Sequence, residues 1–205
     1  ELLEEREDIK LSRSSVRNIL NEVGLKSPRH RRPPQHRWRR ERYPQEGMLL
    51  QIDGSRHDWL EGRGPYLTLV GAIDDATGTV PYALFREQED AQGYFMLLLD
   101  IITNKGIPLA LYSDRHGIFQ RSPGESETIE EQLCGERQPT QFGRALKELN
   151  IQPIFALSPQ AKGRIERLWG TLQDRLVSEL RLARAKTLGE ANKVLWNFLP
   201  PFNAR

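Results

Sequence analysis

Short apolar stretches, each too brief for a helix and set apart by segments of helical period, limit what this chain can fold into. "MLLQIDG" (48–54) reads as a strand that ends in an acid, and "PLALYSD" (108–114) reads the same way. "YLTLVGAIDDATGTVPYALF" (66–85) reads as two strands joined by a turn at Ala76, Thr77 and Gly78, and "IQPIFAL" (151–157) as a fifth short strand. Helical patterns fill the intervals: "DAQGYFMLLLDIITN" (90–104), closed by Lys105 and Gly106, and "QFGRALKELN" (141–150). A last, longer helix is expected to be capped by Ser158, with Pro159 in its first position. Its stripe is Ile165, Leu168, Trp169, Leu172, Leu176 and Leu180, at steps of three and four. Three strands, helix, strand, helix, strand, helix is the order of an α/β fold, a five-stranded mixed sheet flanked by helices.

The stretch ahead of this unit has a different texture. Residues 1–25 are expected to be a partial helix-turn-helix module: "LSRSSVRNILNEVGL" gives one helix, with Ser12 or Ser14 as cap. Its apolar stripe is Val16, Ile19, Leu20 and Val23, and Gly24 ends it. Arg13 and Arg17 face outward, where a recognition helix contacts DNA, although an ordinary amphipathic helix fits the pattern as well. Residues 26–46 form a basic, proline-rich linker in which Arg31, Arg32, Arg39 and Arg40 stand among eight cations opposed in 26–44 by Glu41 alone. That density suits a phosphate backbone, which gives up counterions as it is neutralised. The core runs over 47–185, interrupted at 120–139 by a Glu-, Ser- and Gly-rich insertion expected to be flexible, and 186–205 is its C-terminal helix. The chain opens without Met inside a helical pattern and stops just after another, so it is expected to be part of a longer protein.

Bulk composition narrows the class. The net charge is only +2, so binding to nucleic acid has to rest on where the charges cluster. The lone Cys134 excludes an internal disulfide and any multi-cysteine zinc site, and the four histidines lack zinc-finger spacing; a reducing, cytoplasmic setting follows as the expectation. The run "YFMLLLDII" is short and broken by Asp100, so no membrane span and no membrane partner is expected.

Three acids occupy comparable places: Asp53 and Asp114 at the ends of apolar strands, and Glu166 on the first turns of the last helix. Sites in sheets with parallel strands gather beyond the strand C-terminal ends. Carboxylates converging there repel one another and call for a cation, and hard oxygen ligands suit Mg²⁺ or Mn²⁺. Asp74 and Asp75 are rival ligands, but they lead into a hairpin turn, where Asp is common for structural reasons. His57 and His116 could line such a site or lie on the surface, while Trp169 and Trp196 fit core stripes.

The phrases "QIDGSRHDW", "LYSDRHGIF" and "SPQAKGRIERLWGTLQDRL" together resemble the catalytic core of DDE transposases and retroviral-type integrases, most of all bacterial insertion-sequence transposases of the ISNCY group. The resemblance covers about residues 10–205. It implies an RNase H-like fold and a polynucleotidyl transferase in which Asp53, Asp114 and Glu166 are the catalytic acids and hold two Mg²⁺ (or Mn²⁺) ions. With it come expected DNA contacts from Gln160, Lys162, Arg164, His57, Arg115 and His116, and a homo-oligomer acting on element ends and target DNA near the bacterial nucleoid. The interval from Asp114 to Glu166 is longer than in the best-known integrases, by an amount the insertion at 120–139 accounts for. Where many relatives place Asn after the second acid, this chain has Arg115 and His116 before Gly117. Two other readings share these features: an RNase H-like nuclease that cuts without joining, and a domesticated, inactive DNA-binding protein.

Overall fold

The chain divides into two units, Glu1–Arg40 and Glu41–Arg205, in a computed structural model that describes residues 2–25, 41–121, 131, 138–156 and 163–204. The first unit holds α1 (Leu2–Glu7) and α2 (Arg13–Glu22). Of the two candidate caps it is Ser12 that serves, its hydroxyl accepting the Ser15 N–H at 3.0 Å. Gly24, at φ +75°, closes the helix: its N–H reaches the Asn21 carbonyl at 3.0 Å and that of Leu25 the Leu20 carbonyl at 2.8 Å. The stripe of Ile19, Leu20 and Val23 is exposed, and no residue of α2 is buried. The linker from 26 to 40, with Arg31, Arg32, Arg39 and Arg40, lies outside the described residues.

In the second unit β1 (Leu50–His57), β2 (Leu67–Asp74) and β3 (Ala83–Arg86) form an antiparallel meander. β4 (Ala110–Ser113) lies parallel to β1, and β5 (Gln152–Phe155) parallel to β4, so the sheet order is β3-β2-β1-β4-β5. This is the five-stranded mixed sheet that the element order predicts. Among the described residues four helices cover it: α3 (Ala91–Lys105), α4 (Gln141–Glu148), α5 (Gly163–Leu182) and α6 (Leu188–Asn203).

Side-chain alternation along the strands splits the core into two layers. Leu50, Ile52, Val70, Ala72, Leu84 and Leu111 pack on α3 and α4 through Tyr94, Leu97, Ile101, Phe142 and Leu146. Leu67, Leu69, Ile73, Ala83 and Phe85 pack on the other face against α5 and α6. All six stripe residues expected on the last helix are buried there, from Ile165 to Leu180. The helix ends follow local chemistry. Asp90 caps α3 through the Gly93 N–H, Gly106 at φ +100° closes it, and Thr187 with Glu190 forms a capping box on α6. The expected cap at Ser158 and Pro159 falls outside the described residues.

Three details differ from the sequence reading. β1 does not stop at its acid but runs on to His57, because Ser55, Arg56 and His57 continue the ladder opposite Leu69, Thr68 and Leu67. The hairpin turn is tight at Asp74–Thr79, yet β3 begins only at Ala83; Pro81, without an N–H, cannot extend the ladder back toward the turn. Trp196 is 45% exposed rather than packed in the core. It belongs to a row on α6 that covers the free edge of β3: Trp196 donates to the Ala83 carbonyl at 3.2 Å, and the Asn192 amide exchanges bonds with the Phe85 N–H (2.7 Å) and carbonyl (3.2 Å). Asn203 does the same for Val80, at 2.8 Å each way. Side chains of one helix thus stand in for the missing neighbour strand. No helix among the described residues is long and apolar enough to cross a membrane.

Candidate active site

Asp53 lies in the middle of β1, half-buried, on the face that meets α5. Its cross-strand partner is Gly71, and the reason for a glycine there is visible: a Cβ would come within 3.1 Å of both the Trp169 ring and Ala83. The indole therefore lies close over β2, and its Nε1 donates to Asp53 Oδ2 at 3.0 Å. One turn along, Gln173 Nε2 reaches Ser55 Oγ at 3.4 Å, so α5 is laid along β1 in the same direction. The residue after Asp53 is also a glycine. A Cβ at Gly54 would lie 2.7 Å from the carboxyl carbon of Glu89, which is pressed against the strand from the other face.

Asp114 follows directly on the last residue of β4, and its Oδ1 accepts the His116 backbone N–H at 3.0 Å. The parallel pairing of Leu50 with Leu111 and Gln51 with Tyr112, carried on at the same offset, sets Asp53 level with Asp114 on the neighbouring strand. Both carboxylates act on one buried hydroxyl. Tyr94 donates to Glu89 Oε1 at 2.5 Å, and its phenol is pushed up chiefly by burial, then by Glu89, with the charges of Asp53 and Asp114 adding to the effect.

Glu166 stands in the first turn of α5, exposed, beside the fully buried Ile165 and one turn before Trp169. Two of the three acids are thus level on neighbouring strands, and the third rides on α5, the helix laid along β1. Among the described residues no three His, Cys, Asp or Glu side chains are grouped tightly enough to hold a metal ion, so Glu166 does not close the set in this conformation. Residues 157–162, which lead into Glu166 and include Gln160 and Lys162, lie outside the described residues.

The other candidates are placed individually. Arg115 and His116 are exposed beside Asp114, and His57 sits at the end of β1 with its ring edge-on to Trp59, centroids 5.3 Å apart. Arg13 and Arg17 are exposed on α2. Arg164, expected to meet phosphate, is instead turned onto the buried carboxylate of Asp75. Asp74 serves the turn, its carboxylate accepting from the backbone N–H groups of Gly47, Ala76 and Thr77 and from the Thr77 hydroxyl.

Trp169, Glu89 and Tyr94 were not singled out as site residues from the sequence. Trp169 fits the apolar stripe so well that its N–H is hidden by its packing role. The signals that could have found these contacts were the glycines: Gly54 directly after the acid and Gly71 in an otherwise apolar strand, each marking a close approach of something else.

Comparison with known proteins places this geometry. The second, sheet-containing unit carries the layout of solved integrase cores: HTLV-2 integrase catalytic core domain structures in complex with magnesium match 74% of this chain, at TM-scores of 0.51 and 0.52 and 17–19% identity, covering 84% and 86% of those chains. The fold is that of an integrase catalytic core, RNase H-like. A simian T-cell lymphotropic virus intasome, solved with PP2A regulatory subunit B56 gamma, matches 91% of this chain and 60% of its own at a TM-score of 0.54 and 19% identity. In sequence the chain is similar to transposases. It is 40% identical over 205 residues to the putative transposase y4bF of Sinorhizobium fredii and 35% identical over 236 residues to the transposase for insertion sequence IS1202 of Streptococcus pneumoniae. In each case 99% of this chain is matched, and it spans about half the length of these curated relatives, 43% and 49%. No family model matches the chain.

Proposed function

We propose that this chain carries the catalytic core of a DNA transposase that cleaves phosphodiester bonds at the ends of an insertion sequence and joins the freed 3′-hydroxyls to target DNA. The observation that carries the reading is Asp53 level with Asp114 at the parallel β1–β4 junction, in a chain similar to transposases and with the fold of an integrase core. The donor set is one of hard oxygens, which fits Mg²⁺ or Mn²⁺; Asp53 and Asp114 would hold the ions, with Glu166 brought in from the first turn of α5. Two such ions, when bound, neutralise phosphate charge and acidify an attacking water.

The chain's own groups prepare the carboxylates. The Trp169 indole fixes one oxygen of Asp53, and the His116 N–H fixes one oxygen of Asp114. No covalent protein–DNA link is required, so no Ser or Tyr nucleophile has to be found. The exposed Arg115 and His116 beside Asp114, and Arg13 and Arg17 on α2, are the cations and donors offered to DNA, with self-association expected on paired ends.

The test is cleavage and joining of duplexes carrying the terminal repeats that flank the gene. Asp53→Asn, Asp114→Asn and Glu166→Gln each lose the several kcal/mol that a bound metal supplies, at least about a hundredfold in rate, with unchanged thermal unfolding. A variant that retains wild-type joining removes its residue from the set. Metal-dependent cutting without any joining would make the chain a nuclease instead, and salt-sensitive binding without cutting would make it a DNA-binding protein.

A further inference from the structure

Asp75 is fully buried, and four segments of the second unit meet at it. Its Oδ2 accepts the Tyr43 backbone N–H at 2.9 Å, where the chain enters the unit. Its Oδ1 accepts the side-chain amide of Gln51 at 3.0 Å and a guanidinium N–H of Arg164. Its backbone takes part as well, the N–H donating to the Leu49 carbonyl at 3.0 Å and the carbonyl accepting from Arg164 at 3.3 Å. Gln51 precedes Asp53 by two residues on the same face of β1, and Arg164 precedes Glu166 by two residues in the first turn of α5.

From this convergence we infer that Asp75 is a positioning residue for the reaction: through Arg164 it pins the first turn of α5, and with it Glu166, to the strand that carries Asp53. The inference rests on the proposed function for its catalytic consequence, but not for its structural one. Two bonds from Arg164, one to the carboxylate and one to the carbonyl of the same residue, fix both the place and the rotation of the helix start. A buried carboxylate is a strong choice for this, because a charge-assisted bond in a dry site is shorter and stronger than a neutral one. Trp169 secures the next turn on Asp53 itself, so Asp75 and Trp169 together hold the stretch of helix on either side of Glu166.

The same wiring explains why the turn carries two acids in succession. Asp74 gives Oδ1 to the turn and Oδ2 to the Gly47 N–H, and Asp75 reaches away from the turn into the sheet face beneath α5. It also gives Arg164, which reads from sequence as a phosphate contact, a different task that keeps its side chain 19% exposed.

The experiment compares wild type with Asp75→Asn and Arg164→Gln by hydrogen exchange, together with the Mn²⁺ dependence of DNA cleavage. Arg164→Gln leaves Asp75 its Tyr43 and Gln51 partners, and Asp75→Asn removes the buried charge itself. The amides of Arg167–Gly170, which bond to the carbonyls of the first turn, are expected to lose protection by about tenfold or more, the size of one charge-assisted bond. Protection in β2 and α6 stays as in wild type. The Mn²⁺ concentration for half-maximal cleavage is expected to rise by about the same factor while the rate at saturating Mn²⁺ changes much less, and the double variant to match the single ones. Unchanged exchange in Arg167–Gly170, or a loss spread evenly over β1, β2, α5 and α6, would overturn the inference. Should the wild type cleave no DNA with any metal, the proposed function falls, and the exchange result still decides whether Asp75 holds the helix.

Discussion

Trp169 shows how one side chain links packing to chemistry. Its ring is buried against Gly71 and Ala83, and its N–H ends on Asp53, so the residue that anchors the helix also orients the acid. Trp169→Phe keeps most of the packing and removes the donor. A hydrogen bond to a charged group is worth about 1.5–3 kcal/mol, so a loss of roughly tenfold or more in cleavage rate is expected, accompanied by a lower midpoint in denaturant. A variant with wild-type rates would show that the Asp53 carboxylate needs no help from the indole. At this scale the sequence was legible where a residue has one job and opaque where it has two. Asp53, Asp114 and Glu166 stood out through the phrases around them, whereas Trp169 was seen only as an apolar residue at the right spacing. The ion pair of Arg164 with Asp75 was not legible, because the two partners lie 89 residues apart in sequence.

Elements of this fold are joined by side chains as much as by the ladder. α6 covers the β3 edge with Asn192, Trp196 and Asn203, and the exchange between Asn192 and Phe85 is the central one. Asn192→Ala strands a half-buried N–H and a carbonyl, and is expected to cost about 1–3 kcal/mol in denaturant unfolding. A change below about 0.5 kcal/mol would mean that water replaces the amide at no loss. The connection between β1 and β2 is tied to the far end of α5 by Glu61, whose carboxylate accepts from Arg181 and also from Arg63 at 2.8 Å. These guanidinium bonds, Arg181 first, lower the Glu61 pKa from 4.5 to about 2. A carboxylate with a depressed pKa contributes stability at neutral pH that is lost as pH falls through its folded value. The gap in melting temperature between wild type and Glu61→Gln is therefore expected to be constant above about pH 5 and to close between 4.5 and about 2. The pair is solvent-screened, so the gap is small. A gap that persists at pH 2 would assign the effect to packing. The elements themselves were readable from period and caps. Their junctions were not, since nothing in a local pattern tells Asn192 that its partner is a strand edge.

For the whole molecule, the order of strands and helices was enough to predict a mixed five-stranded sheet, and the sheet delivers Asp53 and Asp114 to the same level because β1 and β4 run parallel. The third acid depends on how α5 is seated on β1, a matter of tertiary contacts at Asp75, Trp169 and Ser55 that no periodicity encodes. The central claim is that these acids form one divalent-metal site. It is tested most directly by anomalous diffraction at the manganese edge from crystals of the chain grown with saturating Mn²⁺. A peak bound by oxygens of both Asp53 and Asp114 at about 2.0–2.3 Å is expected, lost in Asp53→Asn. Manganese bound elsewhere, or no peak between the two aspartates, would contradict it.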